Sequence, residues 1–215
     1  MQNDLGNYRK SYQKSSLTED SIDENPIQQF QKWFYEVEAT EGLDEPNAMT
    51  LSTVGLDGFP KSRVVLMKKY TYEGFIFYTN YLSEKGKAIA KNPCVCLSFF
   101  WPNMERQVII KGKAEKIAEN LSDGYFESRP VGSQLGAIVS NQSEVIDSRE
   151  SLEKELEALE KKYEGKEIER PPHWGGYLVR PTSIEFWQGR PNRLHDRIRY
   201  TLQKDLDWKI ERLAP

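Results

Sequence analysis

From Ala48 onward the chain is written in short apolar runs that alternate like strands and are separated by turn residues. The runs are AMTLSTV, PKSRVVLMKKY, EGFIFYT, CVCLSFFW, RQVIIKGKAEKI, GGYLVR, SIEFWQ, DRIRYTLQ and WKIERL. Gly55-Leu56-Asp57-Gly58 joins the first two as a hairpin, and Pro102-Asn103 joins CVCLSFFW to RQVIIKGKAEKI. Seven to nine strands, connected mostly as hairpins and without alternating helices, exclude a parallel sheet. They predict a mainly β, α+β protein built on an antiparallel barrel of Greek-key type with helices packed outside. Neither G-x-G-x-x-G nor a P-loop occurs, which argues against a Rossmann-type nucleotide site.

Helices are predicted around this sheet. Asn25 followed by Pro26 is a helix start, and Ile27, Phe30, Trp33, Phe34 and Val37 form an apolar stripe that ends before the 42–46 turn. Ser83 caps a short helix stopped at Pro93. Residues 121–139 read as helical pieces broken by Pro130, Gly132 and Gly136. A charged helix over 147–163 has Asp147 and Glu150 at capping-box spacing and Leu152, Leu156 and Leu159 on one side. Residues 1–24 are polar with little to bury and are expected to be flexible, leaving 25–215 as a single domain.

The formal net charge of −3 disfavours nucleic-acid binding, since tracking phosphates needs a basic surface. No apolar run reaches the roughly 20 residues of a membrane span, and the N-terminus lacks a signal-peptide pattern. Cys94 and Cys96 read as reduced core residues, which fits a soluble, cytoplasmic protein. Two cysteines and two histidines far apart predict no metal site.

The chemistry concentrates in a few stretches. Residues 184–200, IEFWQGRPNRLHDRIRY, read as a strand, a turn at Gly189-Arg190-Pro191-Asn192, and a second extended run. On that run Arg193, His195 and Arg197 would share one face and call for an anionic or electron-rich partner; a solvated basic face is the plain alternative. Arg63-Val64-Val65-Leu66-Met67-Lys68 is a strand with a cation at each end, and parity sends Arg63 and Lys68 to opposite sides unless the strand bulges. Tyr78 and Thr79 end a strand just before Ser83 and Lys85 at a helix start, a seat for a phosphate. Tyr125, Arg129 and Ser133 can converge on another if Pro130 bends the chain. His173, after two prolines, reads as a loop residue.

The segment E-F-W-Q-G-x-x-x-R-L-H-D-R, with the C-terminal WKIERLAP, resembles the pyridoxine (pyridoxamine) 5′-phosphate oxidase family. The resemblance runs from about Pro26 to Pro215. It implies an FMN-binding split β-barrel and a homodimer with the active site shared between subunits. The implied reaction oxidises pyridoxine 5′-phosphate or pyridoxamine 5′-phosphate with oxygen. Carried over residue by residue, residues 63–68, Tyr78, Thr79, Lys85, Gln107, Gln142, Ser143, Trp187 and Arg197 would contact FMN. Lys68, Tyr125, Arg129 and Ser133 would hold the substrate phosphate, and Arg193 and His195 would act on its ring. Arg9 and Tyr12 resemble part of a segment that closes over the substrate. The family usually has an arginine where this chain has Glu84, so weaker FMN retention is expected unless Glu84 points outward. A flavin enzyme of another substrate class, a haem-handling protein, or a carrier without turnover are the alternatives.

Overall fold

The computed structural model describes residues 4–215, so the first three residues of the expected flexible segment lie outside it. The described chain contains α1 (Pro26–Glu38), β1 (Ala48–Val54), β2 (Pro60–Leu66), β3 (Lys69–Thr71), β4 (Gly74–Asn80), α2 (Glu84–Lys91) and β5 (Cys94–Trp101). After these come β6 (Arg106–Lys116), α3 (Glu119–Glu127), α4 (Val131–Val139), α5 (Arg149–Tyr163), β7 (Trp174–Gln188), β8 (Asp196–Leu202) and β9 (Trp208–Arg212). The strand order is β2-β1-β5-β6-β7-β4-β3, with β8 paired to β7 and β9 to β8. The chain forms two compact units, and β5, β6 and β7 each contribute residues to both.

Among the described residues the first unit takes 4–49, 97–111 and 181–215. Asn25 caps α1 by accepting from the Ile27 N–H at 2.8 Å, as the sequence predicts, although the helix ends at Glu38, short of the 42–46 turn. Its stripe is buried: Trp33 meets Phe186 edge-on at 5.2 Å, and Phe30 meets Phe99 at the same distance. Arg106 lies over the Trp33 ring at 4.4 Å and is held by Glu36 and Gln188, so this buried cation is paired. In the same unit β7 pairs antiparallel with β8 from Ser183 to Gln188, placing Trp187 opposite Arg197.

The second unit takes 50–96 and 112–180. Here β4 pairs with β7 from Trp174 to Val179. Pro181 falls between the two registers of β7, where a missing N–H breaks no ladder bond of either pairing. The two runs GGYLVR and SIEFWQ are therefore one 15-residue strand. Phe126, Leu135, Ile168 and Trp174 form a buried cluster, covered by Leu156, Leu159 and Tyr163 of the charged helix.

Four expectations are corrected. The helix α5 is capped by Ser148, which accepts from the Ser151 N–H, so Asp147 stays outside it. Gly132 and Gly136 lie inside α4, where packing outweighs their low helix propensity, and only Pro130 breaks the chain. PKSRVVLMKKY divides into β2 and β3 at Met67-Lys68. On β5 the period of two sends Val95, Leu97, Phe99 and Trp101 inward, leaving Cys94 exposed and Cys96 half-buried rather than in the core.

Candidate active site

In the second unit a cavity of about 640 Å³ gathers residues from β2, β4, α2, α3, α4 and β7. Arg63, Val64, Val65, Leu66, Lys68, Tyr78, Thr79, Lys85, Tyr125, Arg129, Ser133 and Gln142 all line it. The break at Met67-Lys68 changes the alternation along the strand, so Arg63 and Lys68 reach the same cavity instead of opposite faces. Met67 is buried and is not among the lining residues.

One end is built on the start of α2. Ser83 caps the helix, and its Oγ accepts from the Gly86 N–H at 3.3 Å. A Cβ at Gly86 would stand 2.1 Å from the Tyr81 carbonyl oxygen, so glycine is needed for the helix start to lie this close to the end of β4. Lys85 Nζ donates to Gln142 Oε1 at 2.8 Å and to Thr79 Oγ1 at 3.2 Å. Arg63 is half-buried and donates to Thr53 Oγ1 at 2.8 Å and to the Leu51 carbonyl at 3.2 Å. Burial, and then the Arg63 charge, push Lys85 down to about 8. Burial also lowers Arg63. Two cations with depressed pKa values and a helix N-terminus make a site that gains from an anion.

Glu84 does not enter the cavity. Its carboxylate pairs with Lys61 Nζ at 2.5 Å, both side chains about half exposed, while its backbone N–H donates to Ser143 Oγ at 3.3 Å. As the first residue of α2 it also complements the positive end of the helix. Ser143 thus supports the helix start, whereas its neighbour Gln142 faces the cavity.

The other end is aromatic and cationic. Pro130 separates α3 from α4 so that Tyr125, Arg129 and Ser133 converge. Tyr125 stacks on Tyr78 with centroids 3.9 Å apart, and Arg129 lies 4.6 Å over the Trp174 ring. Arg129 Nη1 is buried without a hydrogen-bond partner, and burial lowers the guanidinium pKa. Such an orphan donor costs about 1–3 kcal/mol unless a ligand meets it. The residues fit phosphate esters well: four cationic groups (Arg63, Lys68, Lys85 and Arg129), hydroxyls and stacked rings surround the cavity. Asn80, which follows Tyr78 and Thr79 at the strand end, lines it too, whereas Trp174 and Ser140, which also line it, were not singled out from sequence. Trp174 is 45 positions from Arg129, beyond any local spacing signal.

The RLHDR run lies in the first unit and departs from the extended reading. Pro191–Arg193 form a 3-10 turn in which Asn192 and Arg193 adopt φ of 57° and 62°, and β8 begins only at Asp196. Alternation along a strand therefore does not align Arg193, His195 and Arg197. His195 is half-buried; its ring lies 4.7 Å from Trp187, and its Nδ1 accepts from the Arg190 N–H at 3.0 Å. Arg193 is exposed. Arg197 is paired with Glu185 at 2.8 Å and donates to the Ala214 carbonyl at 2.8 Å. Gln107 sits on the half-buried face of β6, turned from the face of Arg106 and Val108.

Residues 12–17 pack on this region. The Tyr12 ring meets Trp187 at 5.7 Å and His195 at 5.9 Å. Leu17 is 2% exposed, so the expectation of little to bury fails there. Arg9 is exposed and donates to the Gly6 carbonyl at 2.9 Å.

Strand order, pairing and a phosphate-ready cavity define the class as an antiparallel split barrel with a cationic ligand site. The family model described as pyridoxamine 5′-phosphate oxidase matches residues 36–163, and that of the pyridoxine 5′-phosphate oxidase C-terminal dimerisation region matches 174–215. The chain belongs to the pyridoxine/pyridoxamine 5′-phosphate oxidase family, a family of oxidoreductases. It is 71% identical to the pyridoxine/pyridoxamine 5′-phosphate oxidase of Flavobacterium psychrophilum, with 99% of each chain covered. Identity to that of Christiangramia forsetii is 54% with both chains fully covered. Among solved structures it is similar to PhzG from Burkholderia lata in complex with tetrahydrophenazine-1-carboxylic acid, at a TM-score of 0.83 and 30% identity, covering 91% of this chain and 95% of that one. A pyridoxamine 5′-phosphate oxidase-related, FMN-binding protein from Nostoc punctiforme shares the fold at a TM-score of 0.69 and 16% identity, over 86% of this chain and 95% of that one. No helix among the described residues is long and apolar enough to cross a membrane.

Proposed function

We propose that this chain is an FMN-dependent oxidase that converts pyridoxine 5′-phosphate or pyridoxamine 5′-phosphate to pyridoxal 5′-phosphate. Oxygen is the acceptor and hydrogen peroxide is released; the amine substrate also consumes one water and yields ammonia. The observation that carries this reading is the convergence of Lys68, Tyr125, Arg129 and Ser133, from separate elements, on one cavity. A substrate phosphate would meet two cations and two hydroxyls there.

FMN, when bound, would supply the two-electron redox chemistry that the side chains themselves lack. Arg63, Lys85, Thr79 and Gln142 would hold its phosphate, and Val64, Val65, Leu66, Tyr78, Gln107, Ser143, Trp187 and Arg197 would support the rest. Met67 contributes through its place in the chain break, since its side chain is buried. Lys68, Tyr125, Arg129 and Ser133 fix the substrate phosphate. Arg193 keeps a constant positive charge by the substrate ring, and Tyr12 with Arg9 covers it. With Nδ1 occupied as an acceptor, neutral His195 carries its proton on Nε2 and offers that atom to the substrate oxygen or nitrogen. Phe59, Val64 and Phe100 are exposed apolar side chains, in keeping with a homodimer whose subunits share active sites.

The purified protein should be yellow, and its flavin should bleach anaerobically on adding pyridoxine 5′-phosphate, with peroxide formed when air returns. Protein that binds no FMN, or a bound flavin that pyridoxine and pyridoxamine phosphates both fail to reduce, rules the reading out.

A further inference from the structure

Glu105 is a four-residue turn's last position, between β5 and β6, and holds a backbone φ of 56° where glycine or asparagine would be the ordinary choice. Its side chain is nevertheless 2% exposed and fully used. The carboxylate accepts from the Gln13 N–H at 2.8 Å and the Lys14 N–H at 3.0 Å, and pairs with Lys10 Nζ at 3.2 Å. The backbone of the same residue faces the other way: its carbonyl accepts from the Gly189 N–H at 2.8 Å and from Gln188 Nε2 at 3.2 Å. Gly189 opens the turn that carries Arg193 and His195. It also lets the Tyr12 ring in, because a Cβ there would lie 2.7 Å from Tyr12 Cγ.

One residue therefore grips both the segment bearing Tyr12 and the turn bearing His195. We propose that Glu105 is a positioning residue for the oxidation, a clamp that sets Tyr12 against Trp187 and His195 and so holds the imidazole assigned to the substrate. This rests on the function proposed above. Asp196 reinforces the same contact from further along, accepting from the Leu17 N–H at 3.0 Å and from Arg212 at 3.0 Å. A carboxylate suits the task because it accepts several bonds at once without donating any, and a carboxamide cannot balance Lys10.

The test compares Glu105→Gln, Glu105→Asn and the parent, all as FMN-loaded full-length enzyme, by two readouts. The first is the rate of tryptic cleavage after Lys10 and Lys14, which reads the clamp whatever the enzyme's substrate. The second is KM and kcat for pyridoxine 5′-phosphate. Asparagine tolerates the left-handed backbone but is too short to reach residues 13 and 14, so it separates the carboxylate's work from backbone strain. Both variants should be cleaved at least about fivefold faster and should raise KM roughly tenfold while kcat changes less than about twofold. Lys10→Ala, which leaves the turn intact but removes its own cleavage site, should speed cleavage after Lys14 and raise KM, each by a smaller factor. Cleavage rates equal to the parent's overturn the clamp even if activity falls. Faster cleavage with an unchanged KM overturns its role in substrate binding. An inactive parent with cleavage that still responds keeps the clamp and rejects the function assigned above.

Discussion

The Arg190 backbone N–H donates to His195 Nδ1 at 3.0 Å, and this bond ties the imidazole to the turn that precedes it. It leaves Nε2 as the nitrogen available to a substrate. Asparagine places an acceptor near the Nδ1 position and glutamine near Nε2, so the two substitutions divide the ring's jobs. His195→Asn should keep the turn but lower kcat/KM by roughly tenfold, about 1.4 kcal/mol, and flatten any limb of the pH profile that His195 produces. His195→Gln should lose the bond to Arg190 and weaken substrate binding as well. Anaerobic flavin reduction across pH checks this; an unaltered profile in His195→Asn means the ring only braces the turn.

Arg129→Ala removes the guanidinium over Trp174 and its unpartnered donor. The expected effect is a higher KM for the phosphorylated substrate, on the order of 1.5–3 kcal/mol for a lost charge-assisted bond. The low rate with unphosphorylated pyridoxine should barely move. Steady-state kinetics with both compounds decide it, and equal losses on both would mean that Arg129 serves the fold.

Lys85 gives the flavin site a pH dependence with a definite sign. Burial and Arg63 hold its folded value at about 8, below the ordinary lysine value of 10.5. The ammonium therefore destabilises the flavin-free fold below about pH 8, and that penalty is relieved as pH rises from there towards 10.5. A phosphate favours the ammonium, so FMN affinity should fall as pH rises above about 8, with proton uptake on binding. Flavin fluorescence titrations on either side of that pH read the effect. Lys85→Ala should weaken FMN and Lys85→Arg should abolish the pH dependence; an affinity that stays flat in the parent refutes the assignment.

Glu84 should matter little to the flavin. Its partner is Lys61, and an exposed pair of this kind contributes roughly 0–1 kcal/mol. Glu84→Gln should change the FMN dissociation constant by less than about fivefold. A larger change than Lys85→Ala produces would place the carboxylate at the phosphate after all.

Gly189→Ala tests the seat of Tyr12. The added methyl would meet the Tyr12 side chain at 2.7 Å from Cγ and 2.8 Å from Cβ, so the ring must move. KM for the phosphorylated substrate should rise several-fold with FMN binding intact; a crystal structure with Tyr12 in place would contradict this.

Much of the fold was legible in the sequence because its signals are local. Alternation marked the strands, Asn25-Pro26 and Ser83 marked helix starts, and the absence of βαβ units set the sheet type. The spacing of Tyr125, Arg129 and Ser133 foretold their convergence, since one turn of helix and one proline bring it about. What tertiary structure decided was everything that depends on partners distant in the chain. The break at Met67-Lys68, where the Lys68 N–H pairs with the Ile76 carbonyl, turned Arg63 and Lys68 into one cavity. Lys61, 23 positions away, drew Glu84 outward. Trp174 came under Arg129 from the far end of the unit, and Glu105 came to hold residues 92 positions earlier. Periodicity reports which face of an element is apolar, whereas the partner of a buried charge is chosen only when the elements are packed, because desolvation and hydrogen bonding act through space and not along the chain.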